Sequence, residues 1–167
     1  MTTYHPTVDK IKNLLDQHQL DYKCFEHIAV RTSEEAAALR PEYTISDGAK
    51  ALIVRVKFKE VPKESEKQFI QIVLPGDAKF DTKKARSELN IKDVRFALPE
   101  EVSEITEGVV PGGVPPFGNI FGIPVYVDKS LLENDEVIFN AGDRSYSIAM
   151  KTKDWLQVVK PIVVSII

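Results

Sequence analysis

The spacing of apolar residues predicts a helix at the start of the chain. From Val8 to His18 the residues Val8, Ile11, Leu14 and Leu15 recur at helical spacing, which describes an amphipathic helix laid on a core, with Thr7 as its cap. Residues 22–27 (YKCFEH) alternate and predict a short strand that carries Cys24 as a small buried residue. Thr32 followed by Glu35 forms a capping-box pattern, so a second helix runs to Arg40 and stops at Pro41. The runs 51–58 (ALIVRVKF) and 69–74 (FIQIVL) are rich in β-branched residues and predict two paired strands, joined by the polar connection EVPKESEKQ at 60–68.

Further on, Asp81 or Thr82 caps a helix that ends near Asn90, and VRFAL (94–98) is a short strand. Pro99 and two glutamates open a helix through Thr106, because a first-turn proline lacks an N–H that would be orphaned there anyway. PVYVD (124–128), DEVIFN (135–140) and SYSIAM (145–150) read as strands, SLLEN as a helical turn, and TKDWLQVV as a last helix capped by Thr152. The closing PIVVSII is apolar and β-prone. With no repeat and no break in composition, the expectation is one α+β domain over residues 1–167, a mixed sheet curled around its core and flanked by helices.

Composition narrows the class. The 167 residues are 43% hydrophobic and 28% charged, enough to build a core without disulfides or a structural metal. Cys24 is the single cysteine, which fits a reducing compartment, and no apolar run approaches a membrane span, so a soluble cytoplasmic protein with no membrane partner is expected. A net charge of −3 argues against a large nucleic-acid footprint, and no DNA partner is expected. Smaller basic runs remain: Lys50, Arg55, Lys57 and Lys59, then Lys83, Lys84, Arg86 and Lys92. Each fits a solvated face as well as a small anionic contact.

Several chemistries are missing. His5, His18 and His27 lack zinc-ligand spacing, so neither a metal nor another cofactor is expected. The chain has no GxSxG elbow, no phosphate-binding GxxxxGK[ST] loop and no GxGxxG fingerprint. An enzyme built from this chain must work with few strong acid–base groups.

Three features carry chemistry. Lys50 shares strand parity with Leu52, Val54 and Val56, so the pleat sends it toward the apolar face at the strand's start. Its stem either packs while the ammonium snorkels to water, or the cation waits at a cleft rim for an anion such as phosphate. Residues 108–124 (GVVPGGVPPFGNIFGIP) are uncharged and apolar, unlike an ordinary polar linker. Within them, Gly112-Gly113-Val114-Pro115-Pro116-Phe117-Gly118 reads either as a rigid surface turn or as a loop whose N–H groups hold a developing oxyanion. Asn140-Ala141-Gly142 reads as a strand-ending turn.

Taken together, GAKALIVRV (48–56), IVLPGDAKFDTKKAR (72–86), the run from LPEEV to VPGGVPPFG (98–118), PVYVDKSLL (124–132) and VIFNAG (137–142) resemble the YbaK and prolyl-tRNA-synthetase-associated domain family. That resemblance implies a mixed, barrel-like sheet flanked by helices, and trans-editing: hydrolysis of the aminoacyl ester of mischarged tRNA without a metal. By position, Lys50 matches the family's functional lysine and Gly112 through Pro116 its GxxxP loop, which makes Lys50, Gly112, Gly113 and Pro116 the catalytic candidates. Val114, Pro115, Phe117 and Gly118 complete the loop as substrate-binding candidates, with Asn140 and Gly142 after the late strand. FEHIAVRT (25–32) resembles the segment lining the amino-acid pocket, which adds His27 and Thr32. Relatives that edit alanyl-tRNA commonly carry asparagine after the lysine. Ala51 stands there in this chain, which argues against that specificity. The implied partners are the acceptor end of aminoacyl-tRNA and, secondarily, an aminoacyl-tRNA synthetase. A non-catalytic module binding aminoacyl-tRNA, a synthetase or a nucleotide, and a hydrolase of some other small ester or amide, remain as alternatives.

Overall fold

The computed structural model describes residues 3–29, 32–63 and 67–167. Val30 and Arg31 of the expected pocket segment, and residues 64–66 of the polar connection, lie outside the described residues. Among the described residues five α-helices and eight strands follow one another: α1 (Pro6–Gln17), β1 (Tyr22–Glu26), α2 (Ser33–Leu39), β2 (Ala49–Phe58), β3 (Lys67–Pro75), α3 (Thr82–Glu88), β4 (Ile91–Phe96), α4 (Pro99–Thr106), β5 (Val125–Asp128), β6 (Glu136–Asp143), β7 (Tyr146–Lys151), α5 (Thr152–Val159) and β8 (Ile162–Val164).

The strands form two sheets. β1-β7-β6 is antiparallel, and β4-β2-β3-β5-β8 is mixed. In the latter, β2 runs antiparallel to β3 and β4, while β3, β5 and β8 are mutually parallel neighbours. The fold is thus α+β with a mixed sheet, as the sequence predicts, but the curl is divided between two sheets and does not close into a barrel. An isolated parallel bridge, Gly48 to Ile138, ties the entrance of β2 to the middle of β6. That seam positions everything below.

Between the sheets and α1 and α5 lies the largest core, which includes Ile11, Leu15, Phe117, Phe139, Ile148 and Trp155. A second core covers the other face of the mixed sheet with Val54, Val56, Ile70, Ile72, Leu74 and Ile166. Burial of such side chains contributes about 1.5–3 kcal/mol each, which is why the β-branched runs of β2 and β3 pair in the center of the sheet.

Local details differ from expectation for physical reasons. The cap of α1 is His5, whose Nδ1 accepts the Thr7 N–H at 3.1 Å. Thr7 is instead buried against Gly142. The N–H of Thr152 is taken by the Asp135 carbonyl at 2.9 Å, so Lys151 occupies the cap position and Thr152 is the first helical residue of α5. Cys24 is exposed and not buried, since it lies on β1, the edge strand of its sheet. β4 starts at Ile91 and stops at Phe96, since Leu98 is already the cap of α4. Finally, Asn140-Ala141-Gly142 does not end β6. The strand continues to Asp143 through a register shift, with Gly142 at φ +112° donating its N–H to Gly113 instead of to β7.

Candidate functional site

At the seam between the sheets lies a cleft of about 340 Å³. Its walls come from the start of β2 (Gly48 to Leu52), the middle of β6 (Ile138 to Asn140), the first turn of α2 (Thr32 to Glu34), Arg40 at the end of that helix, and the loop residues Gly112 and Val114. Five of the sequence candidates therefore share one cleft: Lys50, Gly112, Val114, Asn140 and Thr32. Gly113, Pro115, Pro116, Phe117, Gly118, His27 and Gly142 are not in its lining.

Lys50 reaches the cleft because its parity sends it to the Val54 and Val56 face, at the end of the sheet where the core opens. Its Nζ donates to the Ala78 carbonyl at 2.5 Å, across the turn that follows β3. Burial pushes its pKa below the ordinary lysine value, while the nearby carboxylates of Glu34 and Asp77 favour the charged form. The ammonium is thus half-buried and held at a defined point, rather than snorkelling freely.

The loop is built by inward-facing bonds. Gln71, fully buried in β3, grips it at two points: its amide nitrogen donates to the Pro115 carbonyl, and its amide oxygen accepts the Gly118 N–H, both at 2.9 Å. The indole of Trp155 donates to the Pro116 carbonyl at 2.9 Å, and Phe117 is buried with its ring 5.2 Å from that of Phe139. Pro115, Pro116, Phe117 and Gly118 thus anchor the loop to the core and do not face the cleft. Asn140 donates to the Gly112 carbonyl at 2.7 Å and Gly142 to the Gly113 carbonyl at 2.9 Å, which pins the other end to β6.

These bonds leave few donors. Gly113 gives its N–H to Val110, Phe117 to Pro115 and Gly118 to Gln71, and prolines have none. In this segment only the N–H groups of Gly112 and Val114 have no partner among the described residues, and both residues line the cleft. Gly112 sits at φ +89°, in the left-handed region that glycine enters freely.

His27 lies behind the cleft. Its Nε2 is 2.7 Å from the Ser147 hydroxyl and its Nδ1 is 2.8 Å from the Ile28 carbonyl. Ser147, fully buried in β7, also accepts from Arg40 at 3.1 Å and donates to Asn140 at 3.2 Å. This chain, His27 to Ser147 to Asn140 to the Gly112 carbonyl, fixes the loop from below. Thr32 uses its hydroxyl to accept the Glu35 N–H at 3.0 Å as the cap of α2.

Arg40, Ser147 and Gln71 were not singled out by the sequence. An arginine before Pro41 reads as a solvated helix end, yet Arg40 is only 7% exposed. The available signal for the other two was a single polar residue inside an apolar strand, Gln71 in FIQIVL and Ser147 in SYSIAM. Parts of the basic runs are engaged within the molecule, since Arg55 lies close enough to lower the pKa of Glu101 and Lys84 donates to the Ile167 carbonyl. Among the described residues, no group of three His, Cys, Asp or Glu side chains could hold a metal ion, and no helix is long and apolar enough to cross a membrane.

A half-buried cation, two unspent backbone donors and a rigid loop in one cleft define a protein that can act on a small anionic or ester-bearing ligand by positioning and charge. The chain belongs to the family of aminoacyl-tRNA editing domains, whose sequence profile matches residues 27–158. It is 32% identical over 160 residues to the multifunctional Ser/Thr-tRNA deacylase ProXp-y of Escherichia coli K12, a match covering 95% of this chain and 92% of that protein. A proline–tRNA ligase of Sulfurihydrogenibium is 30% identical over 84 residues, half of this chain and 14% of the ligase. Among solved structures, one described as a candidate trans-editing enzyme for prolyl-tRNA synthetase superposes with a TM-score of 0.78 at 25% identity, covering 98% of both chains.

Proposed function

We propose that this cleft hydrolyses the ester joining serine or threonine to the 3′ end of a mischarged tRNA, residues 1–167 acting as one cytoplasmic editing domain. The observation that carries the reading is the meeting of Lys50 with Gly112 and Val114 in one cleft. Lys50 holds a phosphate of the terminal adenosine, giving up part of its bond to Ala78. The N–H groups of Gly112 and Val114 receive the ester carbonyl oxygen as it becomes negative. Water, assisted by the neighbouring ribose hydroxyl, adds to the carbonyl carbon. The tetrahedral intermediate then expels the ribose oxygen, which takes up a proton, leaving free amino acid and uncharged tRNA. No nucleophilic side chain and no metal is required, because an aminoacyl ester is already activated.

The choice of serine and threonine rests on the near full-length similarity to the Ser/Thr-tRNA deacylase, whereas the likeness to the proline–tRNA ligase spans half the chain. On this reading the acceptor end of tRNA is the partner, and a synthetase is a second one only where charging and editing are coupled. Incubation with tRNAs charged with labelled serine, threonine, alanine and proline, in the presence and absence of EDTA, tests it. Release of serine and threonine unaffected by EDTA is expected. Binding of all charged tRNAs without release would instead establish a non-catalytic module.

A further inference from the structure

We infer that Arg40 is the residue that reads the amino-acid side chain, donating from the floor of the cleft to the side-chain oxygen of the esterified serine or threonine. This deepens the proposed function and rests on it. Arg40 lines the cleft but is only 7% exposed. A guanidinium has five N–H donors. Among the described residues Arg40 spends Nε on the Ala36 carbonyl and Nη1 on the Ser147 hydroxyl, both at 3.1 Å. Burial lowers its pKa, and the group acting in the opposite direction is Tyr43, not a carboxylate. Among the described residues no carboxylate offsets this buried cation, and its remaining donors are left for a ligand in the cleft.

Depth decides which part of the substrate reaches it. An RNA strand enters such a cleft by its end, so groups are met in order from the mouth inward. Thr32 and Glu34 are exposed, Lys50 is half-buried and Arg40 is buried. The phosphate, which is tethered to the rest of the RNA, stops at Lys50, and only the amino acid goes further. Its amino group cannot be the partner, because a guanidinium donates only and repels a cation. A side-chain hydroxyl oxygen offers the lone pair that Arg40 needs, and alanine offers none. The guanidinium is also held in place, by its own helix at Ala36 and by β7 at Ser147, so binding demands little reorganisation.

The test uses Arg40→Met, which keeps most of the volume and removes the donors, and Arg40→Lys, which keeps the charge with different donor geometry. Non-hydrolysable adenosine 3′-amides of serine and alanine serve as probes by calorimetry, alongside kcat/KM on Ser-tRNA and Ala-tRNA. The expected result is a preference of the parent protein for the seryl over the alanyl amide of roughly ten- to a hundredfold. That preference collapses in Arg40→Met and is partly kept in Arg40→Lys, with kcat/KM ratios following. Parallel weakening of both amides in Arg40→Met would mark a structural residue and overturn the inference, as would a parent protein that binds the two equally. If Arg40→Met does not fold, loss of preference in Arg40→Lys supports the inference and full retention overturns it. Discrimination between the amides without any tRNA hydrolysis would refute the deacylase reading while leaving Arg40 as the side-chain reader.

Discussion

Lys50 carries opposed terms at the scale of a single residue. Its burial disfavours the ammonium, and the Ala78 carbonyl with Glu34 and Asp77 restores part of what burial removes. Replacing it should therefore change stability by less than about 1 kcal/mol, because a buried charge and its compensating contacts disappear together. Loss of a charge-assisted phosphate contact should still lower deacylation by about ten- to a hundredfold, measured as kcat/KM in Lys50→Ala with thermal unfolding as control. Full activity in a folded Lys50→Ala would return this lysine to a purely structural role. Parity alone places Lys50 on the apolar side, so its position at the cleft was legible, whereas the role proposed for it comes from the family resemblance. Arg40 was not, because its burial arises from packing of α2 against β7, which no local pattern around Pro41 encodes.

Among the elements, the loop and β3 show why part of the candidate set lies outside the cleft. Glycines and prolines at 112–118 signalled a special loop correctly, but which of its groups face inward depends on Gln71 and Trp155, distant in sequence. Gln71→Leu should leave the Pro115 carbonyl and Gly118 N–H buried without partners. A loss of about 2–4 kcal/mol is expected by denaturant unfolding, together with slower deacylation as the loop loosens. An unchanged unfolding midpoint would contradict the clamp. Likewise, Asn140-Ala141-Gly142 looked like a turn because bulges and turns use the same residues, and only pairing with β7 distinguishes them. The helix starts were read more securely where the cap is local, as at Thr32 and Asp81, than where a neighbouring strand takes the N–H, as at Thr152.

Across the whole molecule, acid stability offers a check on the mixed sheet's junction with α4. Glu101 accepts two bonds from Arg95, at 2.8 and 3.1 Å, and the Leu98 N–H at 2.8 Å, which hold its carboxyl at about 2, well below the ordinary 4.5. A carboxylate depressed in the folded state contributes stability that is present above about pH 4.5 and is lost as pH falls toward 2. Thermal unfolding followed across that window should show a midpoint that drops with acid, and a shallower drop in Glu101→Gln. Equal slopes would assign the acid sensitivity elsewhere. The fold class and the order of strands were legible because alternation and turn residues are local signals. The division into two sheets was not, since it depends on which distant strands pair, β1 with β7 and β3 with β5.

The seam between the sheets gives the central claim its most direct test, because cleft, lysine and loop converge there. Purified protein is mixed with tRNA charged with labelled serine, and free serine is followed with time for the parent chain and for Lys50→Ala under identical salt. The account predicts turnover of Ser-tRNA by the parent, slowed by about ten- to a hundredfold in the variant, with raised salt weakening the parent's binding more than the variant's. Serine remaining on the tRNA in the presence of folded parent protein, or release at the same rate by both proteins, would contradict it.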